Sequence, residues 1–149
     1  MAINHTTLLG YLQANYPSEL AAGDDGAIFA AMSATAPETV IGSVTVSQFA
    51  TWAATGPRSA IESHATNAAS PLNASALSLR DFLSGSMPIF DLALPGLQAL
   101  VAAWVGAGAI TQEQSDALYA LAQQPQTVAE RDGFAGLSFD DIVAARSLA

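Results

Sequence analysis

Cysteine and lysine are both absent from the 149-residue sequence. Without cysteine the chain has no disulfide, no thiolate zinc site and no thiol nucleophile. Four arginines stand against 13 acidic residues, which gives a formal net charge of −9 at pH 7. Because nucleic-acid phosphates are bound mainly by clustered Lys and Arg side chains, this balance argues against a nucleic-acid-binding surface.

Charged residues of either sign are also scarce, at 11% of the chain against about a quarter in a typical soluble domain. Hydrophobic residues make up 51%, but 32 residues are alanine, which favours helix and buries little area. A chain with so few charges exposes much neutral surface, which is typical of contacts with neighbouring subunits. The composition therefore predicts a subunit of a homo- or hetero-assembly.

No segment predicts secretion or a membrane span. Residues 1–5 lack the basic and apolar regions of a signal peptide. The longest apolar run, residues 97–110, is interrupted by Gln98, Gly106 and Gly108 and is shorter than a bilayer span. We therefore expect no membrane contact, and we place the chain in the cytoplasm or in a particle assembled there.

Short helical segments separated by Pro, Gly and capping residues run through the first two thirds of the sequence. Residues 39–46 form the one stretch rich in β-branched residues, which predicts at most one short extended segment. Residues 87–94 predict an irregular apolar connection. The expected helix starts are Thr6 or Thr7, Asp24 with Asp25, Thr45, Pro57, and Asn73 or Ser75.

The last third carries the clearest helical pattern. Apolar residues recur from Leu97 to Val105 at the spacing of a helix that packs on a core. Three capping boxes then follow, which begin at Thr111, Thr127 and Ser138. Three such signals within about 28 residues predict helix, turn, helix, turn, helix.

Together these patterns predict an all-α fold with seven to nine short helices. We expect a single domain over residues 1–149, because neither half of the sequence has an obvious core of its own. A soft division is possible near residues 85–95, and the best-specified helical part is residues 95–148.

Groups with catalytic or metal-binding chemistry are not combined in a known arrangement. Ser59, Glu62 and His64 are close in sequence, but residues 62 and 64 lie about 200° apart around a helix. The acidic pairs at 24–25 and 140–141 lack the spacing of a calcium loop and suit helix starts instead. We expect His64 on a solvated helix face and His5 in a mobile N-terminus. The prediction is a protein that is not an enzyme, with no catalytic, cofactor, metal or small-molecule substrate site.

Three residues are candidates for a protein interface. Trp52 and Trp104 lie on apolar stripes, where core packing is the simpler interpretation and an aromatic interface anchor is the alternative. Arg146, one of the four cations, can bind a partner's carboxylate. Its structural alternatives are a salt bridge to Glu130, Asp132 or an acid of the preceding helix, or bonds to helix carbonyls.

A family resemblance lies in residues 97–148. The stretch runs Trp104-Val105-Gly106-Ala107-Gly108-Ala109-Ile110-Thr111, then an apolar Ala117-Leu118 and Leu121-Ala122, a capped Thr127-Val128-Ala129-Glu130 and a last helix with Ala144-Ala145-Arg146. It resembles small uncharacterised proteins encoded among the structural genes of tailed bacteriophages.

The resemblance implies a virion component that is assembled in the host cytoplasm and has no catalytic residues to carry over. Its expected partners are copies of itself or other virion proteins. Within a virion we favour the neck or tail complex, where small helical proteins form rings or fasten fibres. The alternatives are a capsid cement protein and a soluble acidic chaperone or regulator of assembly that leaves before maturation.

Overall fold

The chain is mostly helical, which confirms the predicted fold class. The computed structural model describes residues 2–86 and 89–149, and these contain ten helices rather than seven to nine. The helices are α1 His5–Asn15, α2 Pro17–Ala22, α3 Asp25–Ser33, α4 Val46–Ala53, α5 Pro57–Ala65, α6 Asn73–Leu83, α7 Pro95–Gly106, α8 Gln112–Leu121, α9 Val128–Arg131 and α10 Phe139–Arg146.

Two compact units account for the contacts of the chain. The first combines Met1–Thr39 with Pro125–Ala149, and the second is Val40–Gln124. Residues 85–95, where we expected a soft division, lie inside the second unit. The helical stretch 95–148 is shared by both units. The sequence could not predict this division, because helical periodicity shows which face of a helix is buried but not which segment covers it. The single domain stays a prediction.

The first unit packs its two chain ends against each other. Helix α10 contacts both α1 and α3, and α9 contacts α3. The buried side chains of its core are Leu8, Leu12, Ile28, Met32, Ala129, Phe134, Ile142 and Ala145.

The second unit contains α4 to α8 around a larger aromatic core. Phe49 of α4 is fully buried, and its ring lies 5.0 Å from that of Phe82 on α6 and 5.0 Å from that of Phe90. Helices α5 and α6 form its most extensive helix pair. Residues of all five helices contribute buried side chains to this core.

In the described part of the chain, four two-residue strands replace the single extended segment that we expected. Strand β1 Val40–Ile41 pairs antiparallel with β4 Gln123–Gln124, and β2 Ser43–Val44 pairs with β3 Phe90–Asp91. The first two strands lie in the predicted stretch 39–46, but their partners were missed. Strand β3 falls in the supposed irregular connection 87–94, of which Met87 and Pro88 lie outside the described residues, and β4 consists of two glutamines.

Capping explains where most helices begin. The four predicted caps Thr45, Thr111, Thr127 and Ser138 each form a reciprocal capping box. Asn4 caps α1 instead of Thr6 or Thr7, so this helix starts earlier than predicted. Pro17 both ends α1 and occupies the first turn of α2, a helix that the sequence pattern did not predict.

Truncation of Phe49 tests the aromatic core. Phe49→Ala is expected to lower the free energy of unfolding by about 3–5 kcal/mol, because it removes a fully buried ring and leaves a cavity. Urea denaturation followed by circular dichroism measures the change. The control Leu94→Ala removes an exposed side chain of the same unit and is expected to change stability by less than about 0.5 kcal/mol. Equal effects of the two changes would contradict this assignment of the core.

Candidate interaction surface

Both tryptophans point into the core of the second unit. Trp104 is 1% exposed, and its indole Nε1 donates a 2.8 Å hydrogen bond to the Ser75 hydroxyl. Trp52 is 6% exposed, and its Nε1 donates to the Gln114 carbonyl at 2.7 Å. Since the rings are buried and their N–H groups already have acceptors, this placement corrects the interface role considered for Trp52 and Trp104.

Arg146 has a partner that sequence reasoning did not find. Its Nε and Nη2 atoms donate to both carboxylate oxygens of Asp25 at 2.8–3.0 Å, across 121 residues of sequence. This bidentate pair raises the pKa of Arg146 and replaces the expected bridge to Glu130 or Asp132. The side chain of Asp25 is 7% exposed, so it needs a cationic partner inside the unit, and Arg146 is committed to that task.

Ser59 and His64, which were considered for catalysis, form hydrogen bonds with different partners and not with each other. The Ser59 hydroxyl donates to the Gly56 carbonyl, whereas His64 Nδ1 lies 2.7 Å from the hydroxyl of Ser70. His64 is half-buried and its ring packs edge-on against Trp104, which corrects the expected solvated position. In the described part of the chain no group of three or more His, Asp or Glu side chains could hold a metal ion.

The N-terminal histidine is held in place rather than mobile. His5 lies in the first turn of α1, and its Nε2 is 2.9 Å from the Asp141 carboxylate. Hydrogen bonds from Ser138 and then from His5 lower the pKa of Asp141 to about 2. The same carboxylate completes the Ser138 capping box, so one acid joins α1 to the start of α10.

A second carboxylate links α1 to α9. Asp132 accepts hydrogen bonds from Arg131 and from the Tyr11 hydroxyl, which together lower its pKa to about 2. Burial, together with the bond to Asp132, raises the pKa of Tyr11. Arg131 also bridges to Glu38 at 3.0 Å. Both arginines of the first unit are therefore paired within it.

An apolar surface lies along the junction of α3 and α10 in the first unit. It consists of Phe29, Phe139 and Val143, which we call the seam surface. The rings of Phe29 and Phe139 meet edge to face with centroids 6.1 Å apart. Phe139 is 45% exposed and Val143 is 36% exposed. The two residues are four apart on α10 and therefore lie on the same side of this helix.

The first unit carries a net negative charge. It holds eight of the 13 acidic residues and only two arginines, both of which are paired. Asp140 is exposed and lies one turn before Val143 on α10. The seam surface thus combines exposed aromatic and aliphatic area with nearby negative charge, a composition suited to binding a protein partner.

Sequence reasoning found only part of this surface. Ile142 and Val143 are adjacent apolar residues of α10, but only Ile142 is buried. Phe139 follows the Ser138 cap directly, and its ring packs against Phe29 while it stays 45% exposed. The signal in the sequence that could have indicated this exposed ring was an aromatic residue at the first position of the helix.

Comparisons of the chain with protein-family models, with curated proteins and with solved structures found no significant match. Within residues 2–86 and 89–149, no helix combines the length and apolar character that a bilayer crossing requires.

The two carboxylates with low pKa values predict acid sensitivity. Each pKa is about 2 in the folded chain and about 4 when unfolded, so each carboxylate stabilises the fold above pH 4. That stabilisation is lost as the pH falls from about 4 to about 2. Thermal unfolding between pH 7 and pH 2 is expected to show a falling midpoint in this window.

A matched pair of variants tests the origin of this acid sensitivity. Asp132→Asn is expected to lower the midpoint at pH 7 and to reduce the further loss between pH 4 and pH 2. Glu62→Gln, at an exposed position in the middle of α5, is expected to leave both unchanged. If the unfolding midpoint of Asp132→Asn depends on pH in the same way as that of the wild type, Asp132 does not cause the acid sensitivity.

Proposed function

We propose that this protein is a non-enzymatic structural or assembly protein of a tailed bacteriophage, acting through protein–protein contacts. The observation that carries the proposal is the seam surface, where two aromatic rings and a valine lie partly exposed on one side of the first unit. The bacteriophage setting is supported by the resemblance of residues 97–148, and the same resemblance favours the neck or tail complex.

The seam surface is supported as a contact site by the contact between its two rings. Helices α3 and α10 are joined by the bidentate pair of Arg146 and Asp25, and the rings of Phe29 and Phe139 already meet edge to face without a partner. A preorganised aromatic pair loses little conformational freedom on binding, and such anchors contribute much of the energy of an interface.

A soluble assembly chaperone is the second candidate. It is favoured by the acidity of the first unit, in which Asp24 and Asp140 are exposed and both arginines are neutralised internally. An acidic surface suits the temporary covering of a basic partner that must later bind elsewhere.

Phe139→Ser tests the proposed role of the seam surface. Particles from cells that carry the wild-type gene are expected to contain the chain at a fixed copy number, measured by quantitative mass spectrometry. The variant is expected to be incorporated roughly tenfold less, because an interface anchor contributes about 1–2 kcal/mol or more. Leu148→Ser, a change at an exposed position of the same unit outside the seam surface, is the control and should incorporate normally.

The outcomes separate the two candidates. A chain bound to assembly intermediates but missing from finished particles would establish the chaperone and remove the structural role. A chain missing from both would overturn the whole proposal. Circular dichroism of both variants checks that each is folded.

A further inference from the structure

Asp140 lies at the edge of the seam surface and shares one exposed patch of α10 with it. Val143 is three residues after Asp140 and four residues after Phe139, so its side chain neighbours both of them on the helix. All three residues are exposed. A partner that covers the apolar side chains of Phe139 and Val143 therefore also covers the carboxylate of Asp140.

The Asp140 carboxylate is free to bind such a partner. Among the described residues it makes no hydrogen bond and no ion pair. The other exposed acids of the first unit are engaged. Asp24 and Glu130 accept capping bonds at helix starts, and Glu38 pairs with an arginine. Asp140 is thus the one exposed acid in the described part of this unit whose carboxylate has no partner.

Covering this carboxylate with neutral apolar surface would weaken an interface. A carboxylate that loses its water needs a charged or hydrogen-bonding group in return, and without one its burial is unfavourable. A cationic side chain supplies a charge-assisted hydrogen bond at this place. The position of Asp140 therefore favours a partner that carries a cation beside its apolar contacts.

The net charge of the first unit also favours a cationic partner. Eight acidic residues and two arginines give this unit a formal net charge of −6 with histidine neutral. Both arginines are paired with acids of the unit itself, so neither of them offsets Asp140. A surface of this sign attracts basic proteins and repels acidic ones.

We propose that the seam surface, together with Asp140, binds an arginine-bearing segment of another protein. Apolar side chains of that segment contact Phe139 and Val143, and the arginine guanidinium bonds to the Asp140 carboxylate. Arginine suits this place better than lysine, because its planar guanidinium can form two bonds to one carboxylate and can also stack on an aromatic ring. The inference rests on the proposed function, in which the seam surface is the contact site, and adds the chemistry of the partner.

A second copy of the chain is the less favourable occupant of this surface. Each copy carries a net charge of −9, so two copies repel each other. A symmetric contact through the seam surface would also bring the Asp140 carboxylates of both copies together. Charge therefore favours a different, basic protein.

Binding of two synthetic peptides to the full chain tests the proposal. The first is a short amphipathic peptide of leucine and arginine, and the second has glutamine at each arginine position. Isothermal titration calorimetry is expected to show at least roughly tenfold tighter binding of the arginine peptide, because only this peptide supplies a cation for Asp140. Equal affinities of the two peptides, or no binding of the arginine peptide, would overturn the proposal.

Variants of the chain locate the bound arginine peptide. Asp140→Asn and Phe139→Ser are each expected to weaken its binding roughly tenfold, whereas Asp140→Glu keeps the charge and is expected to keep the affinity. Glu130→Gln is the matched control, because it also removes one charge from the first turn of a helix in this unit, and glutamine can keep the capping bond. Equal losses in Asp140→Asn and Glu130→Gln would show a response to net charge alone and would contradict the assigned site. Circular dichroism checks that each variant is folded.

Sedimentation equilibrium tests the alternative of a second copy. The wild type and Asp140→Asn are expected to have the same mass. A two-copy mass of the wild type that is lost in Asp140→Asn would assign this surface to a second copy and overturn the inference.

Incorporation into particles separates this inference from the proposed function. If Phe139→Ser lowers incorporation but Asp140→Asn does not, the partner supplies no cation: the inference fails and the proposed function stands. If particles and assembly intermediates both lack the wild-type chain while the peptide results are as expected, the proposed function fails and the inferred chemistry of the surface stands.

Discussion

The shortness of the helices is the physical constraint that shapes both units. The longest described helix has 12 residues and the shortest has four, lengths at which an isolated helix is marginal in water. Each helix therefore needs a capped start and a neighbour that covers its apolar face. The capping boxes at Thr45, Thr111, Thr127 and Ser138 meet the first need, and the two cores meet the second.

The few charges of the chain act mainly inside the first unit. Arg146 neutralises a nearly buried Asp25, and Arg131 is shared by Asp132 and Glu38. Asp141 joins His5 of α1 to the cap of α10. These bonds tie the two ends of the sequence together. Because the cations are used in this way, the outer surface keeps its acidic residues and its neutral, alanine-rich helix faces.

The seam surface follows from this arrangement. It places the rings of Phe29 and Phe139 and the side chain of Val143 near the exposed Asp140 of α10. Exposed aromatic and aliphatic area of this kind suits contact with a protein partner.

The sequence by itself determined the helical class, the capped helix starts and the burial of Trp104, because caps and apolar stripes are local patterns of a few residues. Only the tertiary structure decided that Arg146 pairs with Asp25, that Gln123 and Gln124 form strand β4, and that Phe139 lies exposed. Those outcomes depend on segments up to 121 residues apart, and neither periodicity nor composition encodes which of them meet. The division into two units is of the same kind, since it joins the first 39 residues to the last 25.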